Sequence, residues 1–277
     1  MNGPPEFGGF SDVDRTGDAE AYSAYLDDVR GVEAVSDWKE RSFAALGPRP
    51  GAVLLDIGCG TGEDVLELAR RVAPSGRAIG IDASEAMVEE ARRRAAAEGA
   101  AAVEYRRSDA RALDLDDDVV DGCRAERVLQ HVEAPGDAVA EMARVVRPGG
   151  PVVVADPDWG TLAIDSGDPE TAGEVAAAAG RRVRSALVGR SLRRHFLEAG
   201  LRDVAVAART LIVTERDRAE MLFDLTGAAH RAVADGRVTE ARARSWIDDL
   251  SRAHARGRLL VAMTAFMAVG RVSEGPG

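Results

Sequence analysis

The stretch Leu54–Glu63 reads LLDIGCGTGE, a short apolar run that ends on Asp56 and turns through Gly58, Gly60 and Gly62. Glycines at a strand-to-helix turn let the backbone approach a ligand, and the helix beyond presents unpaired N–H groups. The spacing is Gly-x-Gly-x-Gly, not the G-x-G-x-x-G that seats a pyrophosphate. A carboxylate at Asp56 would repel a pyrophosphate but can hold an ammonium group, directly or through water. Further on, Asp82 closes a second apolar run, GRAIGID, where its oxygens can accept both hydroxyls of a ribose. Together the two carboxylates suit an adenosine cofactor with a cationic amino-acid tail.

Other residues bear on catalysis. His131, in VLQHVE, follows the fourth apolar run, and its pKa class suits a general base at neutral pH; packing under a sheet edge is its other reading. In ADPDWGTL, Asp156, Asp158 and Trp159 follow a fifth run, with Asp158 a second catalytic candidate. Trp159 could stack on a flat substrate or pack under helices. Tyr22, Tyr25, Trp38, Phe223 and His230 are candidates for lining the same pocket, with core packing as the alternative for each. The runs RRVR (181–184) and RSLRR (190–194) read as solvated helix faces or as a rim attracting an anionic substrate. Four scattered histidines and two cysteines in apolar segments give no metal-ligand cluster and no disulfide framework, so no metal is expected.

These residues need a scaffold that brings strand ends together. Strand patterns at AVLLDIG, GRAIGID, VEYRRSDA, VVDGCRAE and PVVVADP alternate with helical patterns such as GEDVLELARRVA and SEAMVEEARRRAAAEG, the latter with a Ser84 N-cap and a Gly99 stop. That alternation predicts a parallel sheet with right-handed crossovers. Residues 18–46 read as one or two helices, and residues 1–17 as an extended Gly/Pro-rich segment. LRDVAVAARTLIVT and RLLVAMTAFMAVGRV read as the last two strands, with helices between them forming a lid over about 217–257. The chain of 277 residues reads as one domain: a helical cap at 1–46, a core at 47–160 and a substrate and lid half at 161–277. A net charge of −11, one lysine (Lys39) and no dense basic tract disfavour nucleic-acid and membrane-surface binding. No signal segment or membrane-length apolar run stands in the sequence, so the expected location is the cytoplasm.

In order along the chain, VLLDIGCGTGED, GIDASEAM, SDA and the RPGG before PVVVADP resemble the successive motifs of the class I S-adenosylmethionine-dependent methyltransferases. The resemblance spans roughly residues 40–160. FSDVDRT, WKERSF and ERVLQHVEAPGDAVAEMARVVRPGG narrow it toward the ubiquinone/menaquinone-type (type 11) small-molecule enzymes of bacteria. The resemblance implies a Rossmann-like α/β fold, a seven-stranded sheet with its last strand antiparallel and helices on both faces. It places Gly58, Cys59, Gly60 and Gly62 under the methionine part of the cofactor, with Asp56 near its amino group. Asp82 would bind the ribose, Ala83 and Met87 would pack on the adenine, and Asp109 with the Ala110 backbone would take the adenine amino group. Arg124 and Arg127 would stand where cofactor meets substrate, and Arg127 or Arg41 could pair with the cofactor carboxylate.

The implied reaction is transfer of a methyl group from S-adenosyl-L-methionine to a small molecule, leaving S-adenosyl-L-homocysteine. Oxygen is the favoured acceptor atom, then carbon or nitrogen, in bacterial secondary metabolism, by a monomer or homodimer. Three alternatives stand beside it: a protein of this fold that catalyses a cyclisation or rearrangement, a quinone-biosynthesis C-methyltransferase, and a nucleotide-dependent oxidoreductase.

Overall fold

The structure is a computed structural model and describes residues 13–16, 19–31 and 33–274. Most of the Gly/Pro-rich segment at 1–17 lies outside the described residues. Five parallel strands form the centre: β1 (Val53–Ile57), β2 (Arg77–Asp82), β3 (Val103–Arg107), β4 (Gly122–Glu126) and β5 (Pro151–Pro157). β5 is buried at all seven positions, as a central parallel strand covered on both faces must be. Three further strands complete the sheet: β6 (Ala163–Ile164), β7 (Arg202–Val213) and β8 (Val261–Arg271).

The path runs β3–β2–β1–β4–β5–β8, with β8 antiparallel to β5 and β7 antiparallel to β8 on its far side. This is the expected sheet with one addition, for the two-residue β6 pairs Ala163 and Ile164 with Ala262 and Val261 of β8. A two-residue strand is set by its partner alone and leaves no periodicity to read.

Helices α1 (Val13–Thr16), α2 (Ala19–Arg30) and α3 (Glu33–Leu46) precede β1, so residues 18–46 hold two helices. α4 (Glu63–Val72) and α5 (Glu85–Ala97) cover one sheet face; α6 (Pro135–Val145) and α8 (Val188–Glu198) cover the other, while α7 (Pro169–Arg181) joins the lid. Ser84 accepts a hydrogen bond from the Met87 N–H at 3.2 Å, the N-cap that its position predicts. Between β7 and β8 come α9 (Arg216–Phe223), α10 (Leu225–Ala234) and α11 (Glu240–Ala255), which pack with α7 into an apolar cluster of their own. Helices therefore fill the stretch between the last two strands, as the sequence pattern predicts.

Candidate active site

The glycine turn forms the floor of a cavity of about 340 Å³ at the C-terminal edge of β1, β2 and β4. Gly58 and Gly60 have φ of 65° and 51°. A Cβ on Gly58 would come within 2.3 Å of Val128, and one on Gly60 within 3.0 Å of Leu26. A Cβ fits neither position without displacing a neighbour, and both hold the positive φ that glycine adopts without strain. At the end of β2, Asp82 accepts hydrogen bonds from the Gly60 N–H (2.9 Å) and the Ser84 N–H (3.0 Å). Burial raises its pKa against these two donors.

α1 closes the cavity from above. Asp14 accepts from the Glu85 and Ala86 N–H groups at 3.0 and 3.2 Å and from the Ser84 hydroxyl, which docks α1 on the N-terminus of α5. Val13 beside it is both buried and part of the cavity wall.

Beneath the turn lies a buried ionic network. Arg124 of β4 is fully buried and stands in register with Asp56 of β1. Its guanidinium pairs with Asp56 at 3.3 Å and Asp64 at 3.0 Å, as well as with Glu126, and stacks 4.6 Å from the Phe43 ring centre. Lys39 also pairs with Asp64 and lies 3.7 Å from Glu126. Burial pushes the Asp56 carboxyl up to about 7 despite Arg124. Burial also acts to raise Asp64, but Lys39 and Arg124 outweigh it and leave that carboxyl below the usual range.

A second pocket, of about 110 Å³, opens between the end of β5, α2, α3 and the lid. Four aromatic side chains line it: Tyr25, Trp38, Trp159 and Phe223, the last two meeting edge to face at 6.4 Å. Tyr25, Glu126, Arg127 and Gln130 line both cavities and so form the neck between them. Arg127 has φ of 58°, and among the described residues it is the one with positive φ that is neither Gly nor Asp. Such a backbone costs about 1–3 kcal/mol and persists only where the surroundings enforce it. Here the Arg127 N–H donates to the Ala155 carbonyl at 2.8 Å, and Gln130 Nε2 donates to the Arg127 carbonyl at 3.2 Å. Gln130 in turn accepts from Trp159 Nε1 at 2.9 Å.

Of the residues named from sequence, Asp56, Gly58, Cys59, Gly60, Asp82, Ala83, Met87, Asp109, Ala110, Arg127 and His131 line the first cavity. Gly62 instead caps α4, and Arg124 lies beneath the floor as the counter-ion of Asp56. Asp109 is paired with Arg111 at 2.7 Å, so an adenine amino group would share that carboxylate. Tyr25, Trp159 and Phe223 line the second pocket.

Besides Gly62 and Arg124, five residues depart from the sequence reading. Arg41 is exposed and lines neither cavity, because it falls on the outer face of α3. His230 is exposed on α10, away from both. Tyr22 packs with Val13 and Met87 in a small core. Asp158 is fully buried outside both cavities, accepting from the Gly160 and Arg190 N–H groups and ion-paired with the Arg190 guanidinium. Burial, with Arg127 and Arg184 nearby, pushes His131 down to about 3 and makes it a weak proton acceptor at neutral pH. Asp156 spends its oxygens on the Leu129 and Gln130 N–H groups at 3.1 and 3.3 Å, holding the turn after β4. The sequence reading missed Lys39, Glu126 and Gln130. Two signals pointed to the first two: the chain's single lysine, and charges inside an otherwise apolar strand pattern.

A family model described as a methyltransferase domain matches residues 54–150. An uncharacterized 37.1 kDa protein in transposon TN4556 of Streptomyces fradiae is 38% identical over 251 residues, 90% of this chain and 71% of that protein. A demethylmenaquinone methyltransferase of Symbiobacterium thermophilum is 35% identical over 133 residues, which cover 48% of this chain and 53% of that enzyme. The match thus spans about half the length of the menaquinone relative. Among solved structures, the YcgJ protein of Bacillus subtilis aligns with a TM-score of 0.60 at 21% identity, covering 86% of this chain and 98% of that one. With its glycine turn and sheet order, the chain belongs to the class I S-adenosylmethionine-dependent methyltransferases. Its cofactor is S-adenosylmethionine, and the first cavity fits it in its donor set: a glycine floor with the carboxylates of Asp56 and Asp82 in its lining. Among the described residues no group of three or more His, Cys, Asp or Glu could hold a metal ion. None of their helices is long and apolar enough to cross a membrane.

Proposed function

We propose that this chain methylates a small, flat, largely apolar molecule in the cytosol, with oxygen as the favoured acceptor atom and bacterial secondary metabolism as the setting. The observation that carries this reading is the shared neck: a cofactor-sized cavity and an aromatic pocket meet at Tyr25, Glu126, Arg127 and Gln130. In it, residues 1–46 act as a cap, 47–160 hold the cofactor, and 161–277 shape the acceptor side of a monomer or homodimer.

Bound S-adenosylmethionine supplies a methyl carbon activated by the sulfonium, whose C–S electron pair stays on sulfur when the acceptor's lone pair forms the new bond. The protein's part is orientation and exclusion of water. In this reading Asp82, which accepts from the Gly60 N–H, takes the ribose hydroxyls, and Asp56, paired with Arg124, takes the ammonium group. The aromatic pocket holds the acceptor plane, and the lid helices close it from solvent.

Incubation with S-adenosylmethionine labelled in the methyl group and a panel of phenols, enols and quinols tests this reading, with labelled ether as the expected product. Product without label would favour a cyclisation or rearrangement instead. The menaquinone relative supports a second reading, C-methylation of a quinol ring, which the position of the label by NMR would distinguish. Asp82→Ala is expected to weaken S-adenosylhomocysteine binding by about 1.5–3 kcal/mol, the range for charge-assisted hydrogen bonds. Unchanged affinity by calorimetry would sink the ribose assignment.

A further inference from the structure

Arg127 combines three features that the cofactor does not require. It lines both the cofactor cavity and the aromatic pocket. Its left-handed backbone is clamped by the Ala155 carbonyl on one side and Gln130 on the other, which fixes where its side chain starts. Its Nε is buried and has no hydrogen-bond partner among the described residues. A buried guanidinium N–H left without an acceptor is costly, and such a group at a binding site marks where a ligand's acceptor belongs.

Other charges around the neck already have partners. Glu126 of β4 is matched by Arg124 and Lys39. On β5, the oxygens of Asp156 accept from Leu129 and Gln130. Arg209 of β7 pairs with Asp37 at 3.2 Å, and Arg182, 5.9 Å from the Trp159 ring centre, pairs with Asp224. Tyr25 of α2 is hydrogen-bonded to Arg127, and burial, outweighing that contact, pushes its hydroxyl up to about 12, so it stays protonated. The buried Nε atoms of Arg124 and Arg182 also make no hydrogen bond, but neither residue lines either cavity; among the described residues Arg127 is the cation with such a donor that lines both.

We propose that the acceptor is an aromatic or conjugated molecule bearing an acidic oxygen, a phenol or enol, and that Arg127 binds that oxygen as its anion and orients it at the neck. This rests on the methyltransferase reading above and names its substrate class. The hydroxyl's proton leaves to solvent on binding, so no side chain needs to take it during the transfer. That agrees with His131, which burial and the same cations, Arg127 and Arg184, keep neutral and weakly basic.

The probe is 4-nitrophenol, an acidic phenol whose anion is coloured. It is titrated with pH on the full chain saturated with S-adenosylhomocysteine, beside Arg127→Asn, which removes the charge but tolerates left-handed backbone, and Arg127→Lys, which keeps it. In the wild type the bound phenol is expected to ionise at least one pH unit below the free dye, since a nearby opposite charge shifts pKa by about 1–3. Arg127→Asn should return it to the free value, and Arg127→Lys should restore part of the shift. Affinity for S-adenosylhomocysteine, read by calorimetry, should change less than about threefold in both variants. A tenfold loss of that affinity in Arg127→Asn would place Arg127 on the cofactor and overturn the proposal. So would an unshifted phenol, or no phenol bound, on wild-type protein that still binds S-adenosylhomocysteine. If S-adenosylhomocysteine does not bind the wild type at all, the methyltransferase reading itself has failed.

Discussion

Arg124 is a guanidinium sealed inside the sheet, and the carboxylates of Asp56, Asp64 and Glu126 gather on it. The places of Asp56 and Asp82 at strand ends beside the cavity were legible because short-range spacing carries them: each follows an apolar run beside a turn. The function of Arg124 was not, because it depends on a neighbour 68 positions away in the chain that only the β1–β4 register supplies. A charge inside a strand buried on both faces still implies a partner, and here three carboxylates answer it. Replacing Arg124 with Met would leave those carboxylates without their shared cation. Breaking a buried ion pair from one side costs about 3–5 kcal/mol, and urea unfolding should show a loss of that order. An Arg124→Met variant as stable as the wild type would mean that the network contributes nothing net. His131 makes the converse case, for its position was legible but its ionisation was not. Its folded pKa lies below the ordinary 6.5, so its contribution to stability is complete above pH 6.5 and lost as pH falls toward 3. An NMR titration of the imidazole should show no midpoint between pH 5 and 8. A midpoint near 6.5 would return His131 to the list of bases.

At the scale of elements, long amphipathic and apolar patterns gave the five parallel strands, the crossover helices and the lid, because burial on one or two faces dictates their composition. Short or partner-dependent pieces escaped. The two-residue β6 is one. The docking of α1 is another: Asp14 reaches 70 positions along the chain to cap α5, and nothing local announces that. Asp14→Ala removes three hydrogen bonds that tie α1 over the cavity, while the sheet and its covering helices keep their contacts. The expected cost in global stability is that of a lost N-terminal cap, about 1 kcal/mol. The larger effect should fall on the ligand, with S-adenosylhomocysteine leaving several-fold faster in stopped-flow measurements. A release rate equal to the wild type would show that α1 does not gate the cavity.

Across the whole molecule, the glycine turn rests on the sheet-face cores, and most of the aromatic pocket's rings rest on the lid core. The glycine turn sits on β1, α4 and α5, within the clusters that pack against the sheet faces. Of the aromatic pocket's side chains, Trp38 belongs to one of the same sheet-face clusters, whereas Tyr25, Trp159 and Phe223 belong to the lid cluster with α7, α9, α10 and α11. On the proposed function, that division lets the acceptor side vary while the cofactor side stays fixed, consistent with a fold that hosts many chemistries through its additions. It also explains why the donor was legible and the acceptor was not: a constant ligand leaves a fixed motif, whereas a pocket of packed helices leaves only apolar residues. Leu250, buried in α11, tests the division. Leu250→Ala opens a cavity in the lid core and should cost about 2–5 kcal/mol. No residue of the glycine turn belongs to that cluster, so the dissociation constant for S-adenosylhomocysteine below the melting transition should stay within about threefold, under 1 kcal/mol. Binding of 4-nitrophenol, which needs Trp159 and Phe223 in place, should weaken by more than that. If S-adenosylhomocysteine affinity instead fell tenfold with the helical circular dichroism intact, the lid and the cofactor floor would be one cooperative unit. The acceptor side could then not change without the donor side changing too.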